Sequence, residues 1–456
     1  MRGRSLVLAV IALGLISAQG LSAQDNRVDT IRPDAPALSP YGGFAVGVKT
    51  LQFINPGQMD ITKAKAGEAI PLYDRPLTVE VWYPAKPGTG NLGTTAYSQV
   101  FTRDGKTLVD LFGKAVRDAE PAAQAPGGTL PSGAAPVPLA GAPYPLVIIS
   151  HGYPGNRYLL SHLAENLASK GYVVASIDHK DSTYNDQGAF GSTLLNRPLD
   201  ILFVLDSMAR LNGDDKGSGL KGLVDADRTA VVGYSMGGYG VVNTLGGGFT
   251  AAIVKSSMAP PNMALARRQA GRPELAASLD PRIKAGIAIG PWGWNMGFWD
   301  KDGLAGIKTP IFFMAGSADA TSGYSPGVRN IFEAAVNADR YLLTFENASH
   351  NAAAPIPAPK ESWPVPGSTV YNAGHYMDPV WDTARMNNIA QHFATAFLGK
   401  YLRNDGEMDS YLNLVEWGKE AVWALDAKGQ PKPEHSYWKG FGNRSAVGLR
   451  LERRKP

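Results

Sequence analysis

The chain has 456 residues, a formal net charge of +4 and no cysteine. The absence of cysteine excludes disulfides, a lipid anchor on an N-terminal cysteine, a thiol nucleophile and cysteine-ligated metals. The weak net charge argues against nucleic acid or an anionic membrane surface as the main partner. A chain of this length can bury a core that is large enough to be stable without disulfides.

The first 23 residues have the pattern of a secretory signal peptide. Arg2 and Arg4 precede an apolar stretch at residues 5–16 that is too short to span a bilayer, and small residues follow. We therefore expect cleavage after Ala23 or Ala18 and export of the remaining chain to the periplasm or the medium. The alternative is an N-terminal anchor helix. We expect no membrane span later in the chain, because no later segment is apolar for long enough.

Short apolar runs alternate with amphipathic segments, which predicts strands alternating with helices. This order is typical of a mostly parallel sheet with helices on both faces and ligands at the C-terminal ends of the strands. The predicted strands lie at residues 78–83, 146–150, 172–177, 229–233, 283–289, 310–315 and 341–345. The predicted helices lie at residues 158–170, 198–211 and 328–337. A long last helix is predicted to begin with Asp378 as its N-cap and Pro379 as its first residue, and to run to about Leu402.

These elements predict one α/β domain over residues 24–402. A segment rich in Pro, Gly and Ala, at about 112–145, cannot bury enough apolar surface to order well and predicts a surface insertion. Residues 403–456 are expected to form a C-terminal extension that packs on the domain or trails from it. We interpret its basic end, residues 450–455, as a solvated terminus.

The most informative motif is Gly-Tyr-Ser-Met-Gly at residues 233–237. It follows the apolar run at 229–232 and precedes a glycine-rich segment. A strand, a tight G-x-S-x-G turn and a helix form the nucleophile elbow of serine hydrolases, in which the glycines allow the sharp turn that exposes the serine hydroxyl. Ser235 is therefore the candidate nucleophile. The alternative is a small residue in an ordinary glycine-rich turn.

A serine hydroxyl needs a general base within hydrogen-bonding reach, and that base needs a carboxylate to orient it. In this fold class the chain order is serine, acid, histidine. Asp319 and His350 each follow a predicted strand in that order, so they are the candidate acid and base. The alternatives are Asp300 or Asp302 for the acid and His375 for the base.

Two backbone N–H groups must face the negative oxygen that develops during acyl transfer. Met236 directly follows the candidate nucleophile and is expected to supply one of them. The second is assigned to Tyr153, in the loop after the strand at 146–150, where Gly152 permits close approach of the backbone. His151 is expected to brace this loop rather than take part in the chemistry.

Aromatic residues cluster near the same strand ends and predict an aromatic wall for the acyl group of an ester. Trp292, Tyr234 and Tyr184 are the candidate substrate-binding residues. Trp294 and Trp299 are alternatively packing residues of the core. The wider aromatic cluster comprises Tyr153, Tyr184, Trp292, Trp294, Phe298 and Trp299.

One acidic and histidine-containing segment, formed by Asp178, His179 and Asp181, resembles a metal site. Such an isolated group is more often a hydrogen-bonded scaffold of a loop, so we assign no metal to it. We expect the chemistry to need neither a metal nor an organic cofactor.

Several segments resemble one group within the α/β-hydrolase superfamily. This group contains the predicted dienelactone hydrolases, the platelet-activating-factor acetylhydrolases, and the polyester hydrolases and cutinases. The resemblance covers roughly residues 75–400 and implies an α/β-hydrolase fold. The segments that carry it lie at residues 146–157, 163–175, 233–238, 288–292 and 348–350.

The resemblance implies the same site and also shows departures. True dienelactone hydrolases use a cysteine nucleophile, which this chain lacks. Acetylhydrolases of the platelet-activating-factor type carry the acid after the preceding strand, where this chain has Gly290, and this favours Asp319. Bacterial polyester hydrolases are much shorter, so the loop 351–377 and the tail 403–456 are expected to roof the cleft differently. The implied roles are nucleophile for Ser235, acid for Asp319, base for His350, oxyanion hole for Tyr153 and Met236, and substrate stacking for Trp292.

The sequence therefore predicts an exported serine hydrolase that cleaves carboxylic esters through an acyl-enzyme intermediate. Small, aromatic or polyester-type esters are the expected substrates. The alternatives are an acetylhydrolase or phospholipase of the platelet-activating-factor type, amide hydrolysis by the same apparatus, and a catalytically idle hydrolase fold that binds a ligand.

Overall fold

The computed structural model describes residues 26–88, 96–100, 107–123, 141, 143–213, 217–367, 369 and 372–456. The signal peptide predicted at residues 1–23 lies outside the described residues, as do residues 124–140 and 142 of the predicted insertion. The described part of that insertion is more regular than predicted. Residue 112 ends a strand, a short strand follows at Val116–Arg117, and residue 144 begins the next long strand.

A ten-stranded sheet forms the centre of the protein. The strands in chain order are β1 (Ala45–Met59), β2 (Leu72–Ala85), β3 (Ala96–Val100), β4 (Leu108–Phe112), β5 (Val116–Arg117), β6 (Tyr144–Ser150), β7 (Val173–Asp178), β8 (Val224–Tyr234), β9 (Ile283–Ile289), β10 (Ile311–Gly316), β11 (Arg340–Phe345) and β12 (Leu449–Arg454). β3 and β4 form a separate pair, and the others follow the order β12-β11-β10-β9-β8-β6-β7-β2-β1-β5. All neighbours from β11 to β7 are parallel. This arrangement confirms the predicted fold class.

Helices cover both faces of the sheet. The side chains of β6 alternate between the two faces. Val147 and Ile149 join the core beneath the helices at residues 161–169 and 383–403, while Leu146 and Ile148 join the core beneath the helices at residues 190–213, 236–244 and 329–334. Among the described residues, no helix is both long and apolar enough to cross a membrane. The helices are α1 (Ser161–Ser169), α2 (Phe190–Gly213), α3 (Met236–Thr244), α4 (Ala251–Val254), α5 (Pro273–Ala277), α6 (Lys301–Leu304), α7 (Arg329–Ala334) and α8 (Thr383–Arg403).

The helix predicted at residues 198–211 begins earlier, at Phe190, so Pro198 lies inside α2 instead of in its first turn. Proline has no N–H, and the carbonyl of Leu194 therefore loses its helical partner. The hydroxyl of Tyr239 in α3 donates to that carbonyl at 2.9 Å. A side chain from a distant part of the sequence thus replaces the missing hydrogen bond and lets the helix continue through the proline.

The last helix also begins at a different residue from the one predicted. α8 starts at Thr383, and the side chain of Asp382 caps it. The carboxylate of Asp378, the predicted cap, instead accepts hydrogen bonds from the backbone N–H groups of Val380 and Trp381 at 2.9 and 2.8 Å. Asp378 therefore stabilises the turn that leads into the helix.

The interpretation of residues 450–455 as a solvated terminus is wrong. β12 pairs with β11 in an antiparallel register and closes one edge of the sheet. Leu449 and Leu451 are buried, and the buried carboxylate of Glu452 accepts a hydrogen bond from Arg329 of α7 at 2.6 Å. The end of the predicted C-terminal extension is therefore an integral part of the central sheet.

Candidate active site

The G-x-S-x-G motif forms a sharp turn between β8 and α3. Ser235 has φ of 55° and ψ of −112°, a strained conformation for a residue with a side chain, and it is 8% exposed. A Cβ on Gly237 would lie 1.8 Å from the carbonyl oxygen of Ser150, and one on Gly233 would lie 2.2 Å from the carbonyl oxygen of Gly237. The two motif glycines are therefore required because α3 approaches the ends of β6 and β8 so closely.

The three residues predicted as a triad meet at the C-terminal edge of the parallel strands. Ser235 follows β8, Asp319 follows β10 and His350 follows β11. His350 Nε2 lies 2.9 Å from Ser235 Oγ, and His350 Nδ1 lies 2.8 Å from Asp319 Oδ2. In this arrangement an unprotonated Nε2 can accept the hydroxyl proton while the Nδ1–H donates to the carboxylate.

The carboxylate of Asp319 is held on both oxygens. Its Oδ1 accepts hydrogen bonds from the backbone N–H groups of Thr321 and Ser322 at 2.8 and 2.9 Å. Burial raises the pKa of Asp319, but the hydrogen bonds from His350, Ser322 and Thr321 outweigh burial and leave that pKa below its ordinary value. The group is therefore ionised at neutral pH and can orient an imidazole.

Gly290, at the end of β9, explains how the imidazole and Asp319 come together. A Cβ on this residue would lie 3.4 Å from the ring of His350 and 3.6 Å from Asp319 Oδ2. An acidic side chain here would compete for the same space beside the imidazole. The glycine leaves that space free for the contact between Asp319 and His350.

Asp300, one of the two alternative acids, and His375, the alternative base, have other partners. Asp300 and Asp302 lie at the start of α6, where the carboxylate of Asp300 caps the helix. His375 lies on the short 3-10 helix Asn372–His375, and its Nε2 is 3.2 Å from the hydroxyl of Tyr184. Tyr184 therefore contacts the loop 351–377 through His375, and its part in substrate binding stays a prediction.

Tyr234 packs against the ring of His350. Its side chain is buried, and its ring centroid lies 5.2 Å from that of His350. Its hydroxyl donates to Asn351 Oδ1 at 2.8 Å, and Asn351 Nδ2 donates to the carbonyl oxygens of Gly374 and Met377, both at 2.7 Å. Tyr234 therefore packs against His350 and, through Asn351, joins the loop 351–377; its part in substrate binding stays a prediction.

A second contact fixes the turn that carries His350. The backbone N–H and the hydroxyl of Ser349 donate to Asp378 Oδ2 at 2.6 and 2.7 Å. Sequence reasoning assigned Asp378 to a helix cap and missed both this contact and Asn351. Neither residue belongs to a motif, so the sequence carries no local signal for them.

The loop after β6 lies directly against the elbow. A Cβ on Gly237 would lie 2.9 Å from the carbonyl oxygen of His151, and one on Gly152 would lie 3.0 Å from the ring of Tyr234. Met236 is the first residue of α3, so helix geometry leaves its N–H without an intrahelical partner. The assignment of the oxyanion hole to the N–H groups of Tyr153 and Met236 stays a prediction, which this proximity supports.

Aromatic rings connect the loop after β6 to Trp292, whose backbone contacts the elbow. The ring centroid of Phe190 lies 5.3 Å from that of Tyr153 and 5.7 Å from that of Trp292. The backbone N–H of Trp292 donates to the carbonyl oxygen of Ser235 at 3.2 Å. Phe190 was missed because α2 was predicted to begin after it. The members of the predicted aromatic cluster that are buried in the core are Phe298 and Trp299.

The segment that resembles a metal site binds protein groups instead. Asp178 accepts from the backbone N–H of Arg157 at 2.6 Å, and Asp181 accepts from Arg75 at 3.1 Å. Both ring nitrogens of His179 are hydrogen-bonded to other side chains. Within the described part of the chain, no group of three or more His, Asp or Glu residues is arranged to hold a metal ion.

Comparison with known proteins supports the resemblance seen in the sequence. A family described as PET hydrolase-like matches residues 135–263, which contain β6 and the elbow. The chain is 26% identical over 210 residues to a cutinase, est1, of Thermobifida alba, and the alignment covers 46% of this chain and 54% of that protein. It is 24% identical over 294 residues to the platelet-activating factor acetylhydrolase of Cavia porcellus, covering 61% of this chain and 62% of that protein. The chain thus matches only part of the length of these relatives.

Among solved structures, a ferulic acid esterase from Streptomyces cinnamoneus aligns with a TM-score of 0.54 and 22% identity. The alignment covers 85% of this chain and 96% of that chain. This likeness concerns the fold. Together with the strand order and the elbow, it shows an α/β-hydrolase fold, as the sequence motifs predicted.

Two histidines near the site, the buried His179 and the half-buried His375, predict a loss of stability in acid. Burial lowers the pKa of His179 to about 3 and that of His375 to about 4, below the ordinary value of about 6.5. Between these limits the unfolded chain binds protons that the folded chain does not, so stability present above pH ~6.5 is lost as the pH falls. Each histidine contributes a slope of about 1.4 kcal/mol per pH unit. Urea unfolding at several pH values between about 6.5 and 4 measures this pH dependence of the free energy of unfolding.

The variant His375→Gln serves as the matched control for this prediction. It removes one titrating group, so its free energy of unfolding should depend less steeply on pH than that of the wild type. An unchanged slope in the variant, or wild-type stability that does not vary over this range, would contradict the assignment of neutral histidines at these two positions.

Proposed function

We propose that the protein is a carboxylic ester hydrolase that uses Ser235 as nucleophile, His350 as general base and acid, and Asp319 as the orienting carboxylate. One observation carries the proposal: a single imidazole lies within hydrogen-bonding distance of both the serine hydroxyl and an ionised carboxylate. The likeness to a cutinase, to an acetylhydrolase and to the PET hydrolase-like family supports an ester as the substrate.

The proposed reaction has two halves. In acylation, His350 Nε2 takes the proton of Ser235 Oγ as that oxygen attacks the ester carbonyl carbon. The negative oxygen of the tetrahedral intermediate accepts hydrogen bonds from the N–H groups of Tyr153 and Met236. The imidazolium then protonates the leaving alcohol, and the acyl group stays on the serine.

In deacylation, His350 removes a proton from water, and the resulting oxygen attacks the acyl carbon. Collapse of the second intermediate returns the proton to Ser235 Oγ and releases the carboxylic acid. Asp319 stays ionised throughout, because the hydrogen bonds that lower its pKa persist in both halves. No redox step or cofactor enters this scheme.

Hydrolysis of p-nitrophenyl acetate and butyrate by the purified protein tests the assignment. Ser235→Ala and His350→Ala should each lower kcat by about 10⁴-fold or more, because each removes one member of a unit that acts together. Asp319→Asn should lower kcat by about 10⁴-fold, because it favours the wrong tautomer of the imidazole.

Asp300→Asn is the matched control, since Asp300 is the alternative acid and its carboxylate caps α6; this variant should keep wild-type turnover. Turnover that survives Ser235→Ala would exclude the mechanism. A wild-type protein without turnover on any ester would instead favour the idle fold that binds a ligand.

For the substrate we propose aromatic or polyester-type esters. The series of rings formed by Tyr153, Phe190 and Trp292 supports this choice, because the backbone of Trp292 contacts Ser235 and aromatic rings favour contact with an aromatic acyl group. A short-acyl phospholipid is the second candidate, supported by the alignment with the acetylhydrolase over 61% of the chain. The export predicted from residues 1–23 is part of the proposal, since a polymeric substrate lies outside the cell.

A panel of benzoate and phthalate esters, aliphatic acetates and a short-acyl phospholipid separates these candidates. Trp292→Ala should lower kcat/KM for aromatic esters about tenfold more than for acetates, which corresponds to one lost ring contact. Trp423→Ala changes a partly exposed tryptophan of the C-terminal segment and should leave kcat/KM unchanged for both aromatic esters and acetates. Equal losses on both ester classes, or a preference for the phospholipid, would exclude the aromatic specificity.

A further inference from the structure

Arg197 of α2 is a buried cation that does not belong to the triad. We propose that it is a positioning residue: it fixes the peptide group between Gly152 and Tyr153 and so aims the Tyr153 N–H at the oxyanion of the reaction. This inference rests on the proposed function, because it assigns a role within the same site.

The guanidinium of Arg197 donates to the loop that follows β6. One nitrogen, Nη1, donates to the carbonyl oxygen of His151 and to Ser150 Oγ, the latter at 3.1 Å. The other, Nη2, donates to the carbonyl oxygen of Gly152 at 3.1 Å and to Ser182 Oγ. One rigid, planar group therefore holds two successive backbone carbonyls.

The carbonyl of Gly152 has a second donor. His151 Nδ1 lies 2.6 Å from it. Burial, together with the charge of Arg197, keeps the pKa of His151 well below its ordinary value, so the ring is neutral. The backbone N–H of His179 donates to His151 Nε2 at 3.3 Å, which places the single ring proton on Nδ1. Both lone pairs of the Gly152 carbonyl are thus occupied.

A fixed carbonyl determines the direction of the adjoining N–H. Gly152 C=O and Tyr153 N–H belong to one planar peptide unit and point in opposite directions when it is trans; the cis bond of this loop is the next one, Tyr153–Pro154. Glycine turns freely, so the unit would otherwise have little to prevent its rotation. With Arg197 on the carbonyl side, the Tyr153 N–H faces away from the buried guanidinium.

The loop held in this way lies next to the nucleophile. The carbonyl oxygens of Ser150 and His151 lie against Gly237, two residues after Ser235. The ring of Tyr153 contacts Phe190, which contacts Trp292 beside the elbow. A donor at Tyr153 is therefore within the same small region as the Ser235 hydroxyl.

Stability alone does not account for a cation at this position. Asp200 is the nearby counter-charge, but its oxygens bind Arg75 at 2.8 and 3.0 Å and His179 at 2.9 Å. In the part of the chain that the structure describes, no carboxylate hydrogen-bonds to Arg197. A buried cation of this kind is less favourable than an apolar side chain of similar size. On backbone carbonyls, however, the charge polarises the peptide groups and strengthens their N–H donors.

The variants Arg197→Met and Arg197→Lys test the inference on the full chain. With p-nitrophenyl butyrate, Arg197→Met should lower kcat by about 100-fold and leave KM nearly unchanged, because an oxyanion donor acts in the transition state. Arg197→Lys should lower kcat less, since lysine keeps the positive charge but has only one nitrogen for the two carbonyls. The inhibition constant of phenylboronic acid should rise in parallel, because the tetrahedral boronate places an oxygen at the oxyanion position.

Arg268→Met is the matched control. Arg268 is also buried, and it donates to the carbonyl oxygen of Asn243 at 2.6 Å in a part of the fold away from the β6 loop. The control should lose stability in urea unfolding but keep kcat and the affinity for phenylboronic acid. If Arg197→Met does not fold, the same measurements on Arg197→Lys test the positioning role.

The inference would be overturned if the Arg197 variants kept the kcat and boronate affinity of the wild type, or if Arg268→Met lost as much of both as they do. The proposed function would still stand after either result, provided that the wild type hydrolyses esters and Ser235→Ala does not. If the wild type does not hydrolyse esters at all, both the proposed function and the inference about Arg197 are wrong.

Discussion

The site depends on one imidazole that is held at both of its nitrogens. His350 reaches the Ser235 hydroxyl with Nε2 and the Asp319 carboxylate with Nδ1. Each of the three residues follows a different strand of one parallel sheet, so the sheet itself brings them to one edge. The ring of Tyr234 lies beneath the imidazole, and Gly290 leaves room beside it. The arrangement therefore needs the packed sheet and not merely the presence of three residue types.

A second constraint joins the elbow to the loop after β6. The absence of a side chain at Gly237 lets α3 begin against the carbonyl oxygen of Ser150. Arg197 reaches the same loop from α2 and holds the carbonyls of His151 and Gly152. The strained turn of Ser235 is thus surrounded by backbone that cannot easily move, which is the condition for a donor group to be in place before the reaction begins.

The parts of the fold that follow local rules could be predicted from the sequence. The buried central strands are continuous apolar runs, and the elbow glycines are fixed by a short motif, so both are visible within a few residues. The parts that failed depend on distant partners. α2 continues through Pro198 because Tyr239 supplies the missing hydrogen bond. Asp378 does not cap the last helix, and its carboxylate instead binds Ser349.

The C-terminal strand β12 was also missed because its structure depends on a distant partner. β12 contains three basic residues, and its apolar residues Leu449 and Leu451 are buried only because the strand pairs with β11. Within the site, the order of serine, acid and histidine was predictable because strand order constrains it. Phe190, Asn351 and Arg197 were not, because their positions relative to the site follow from helix and loop packing that no short motif records.

Reaction with a fluorophosphonate tests the central claim most directly, because only a serine activated by a neighbouring base attacks such a reagent readily. Mass spectrometry of the intact protein, followed by peptide mapping, locates the adduct. The account predicts one adduct per chain, on Ser235 Oγ, and its loss in His350→Ala. An unmodified wild-type protein, or an adduct on a different residue, would contradict it.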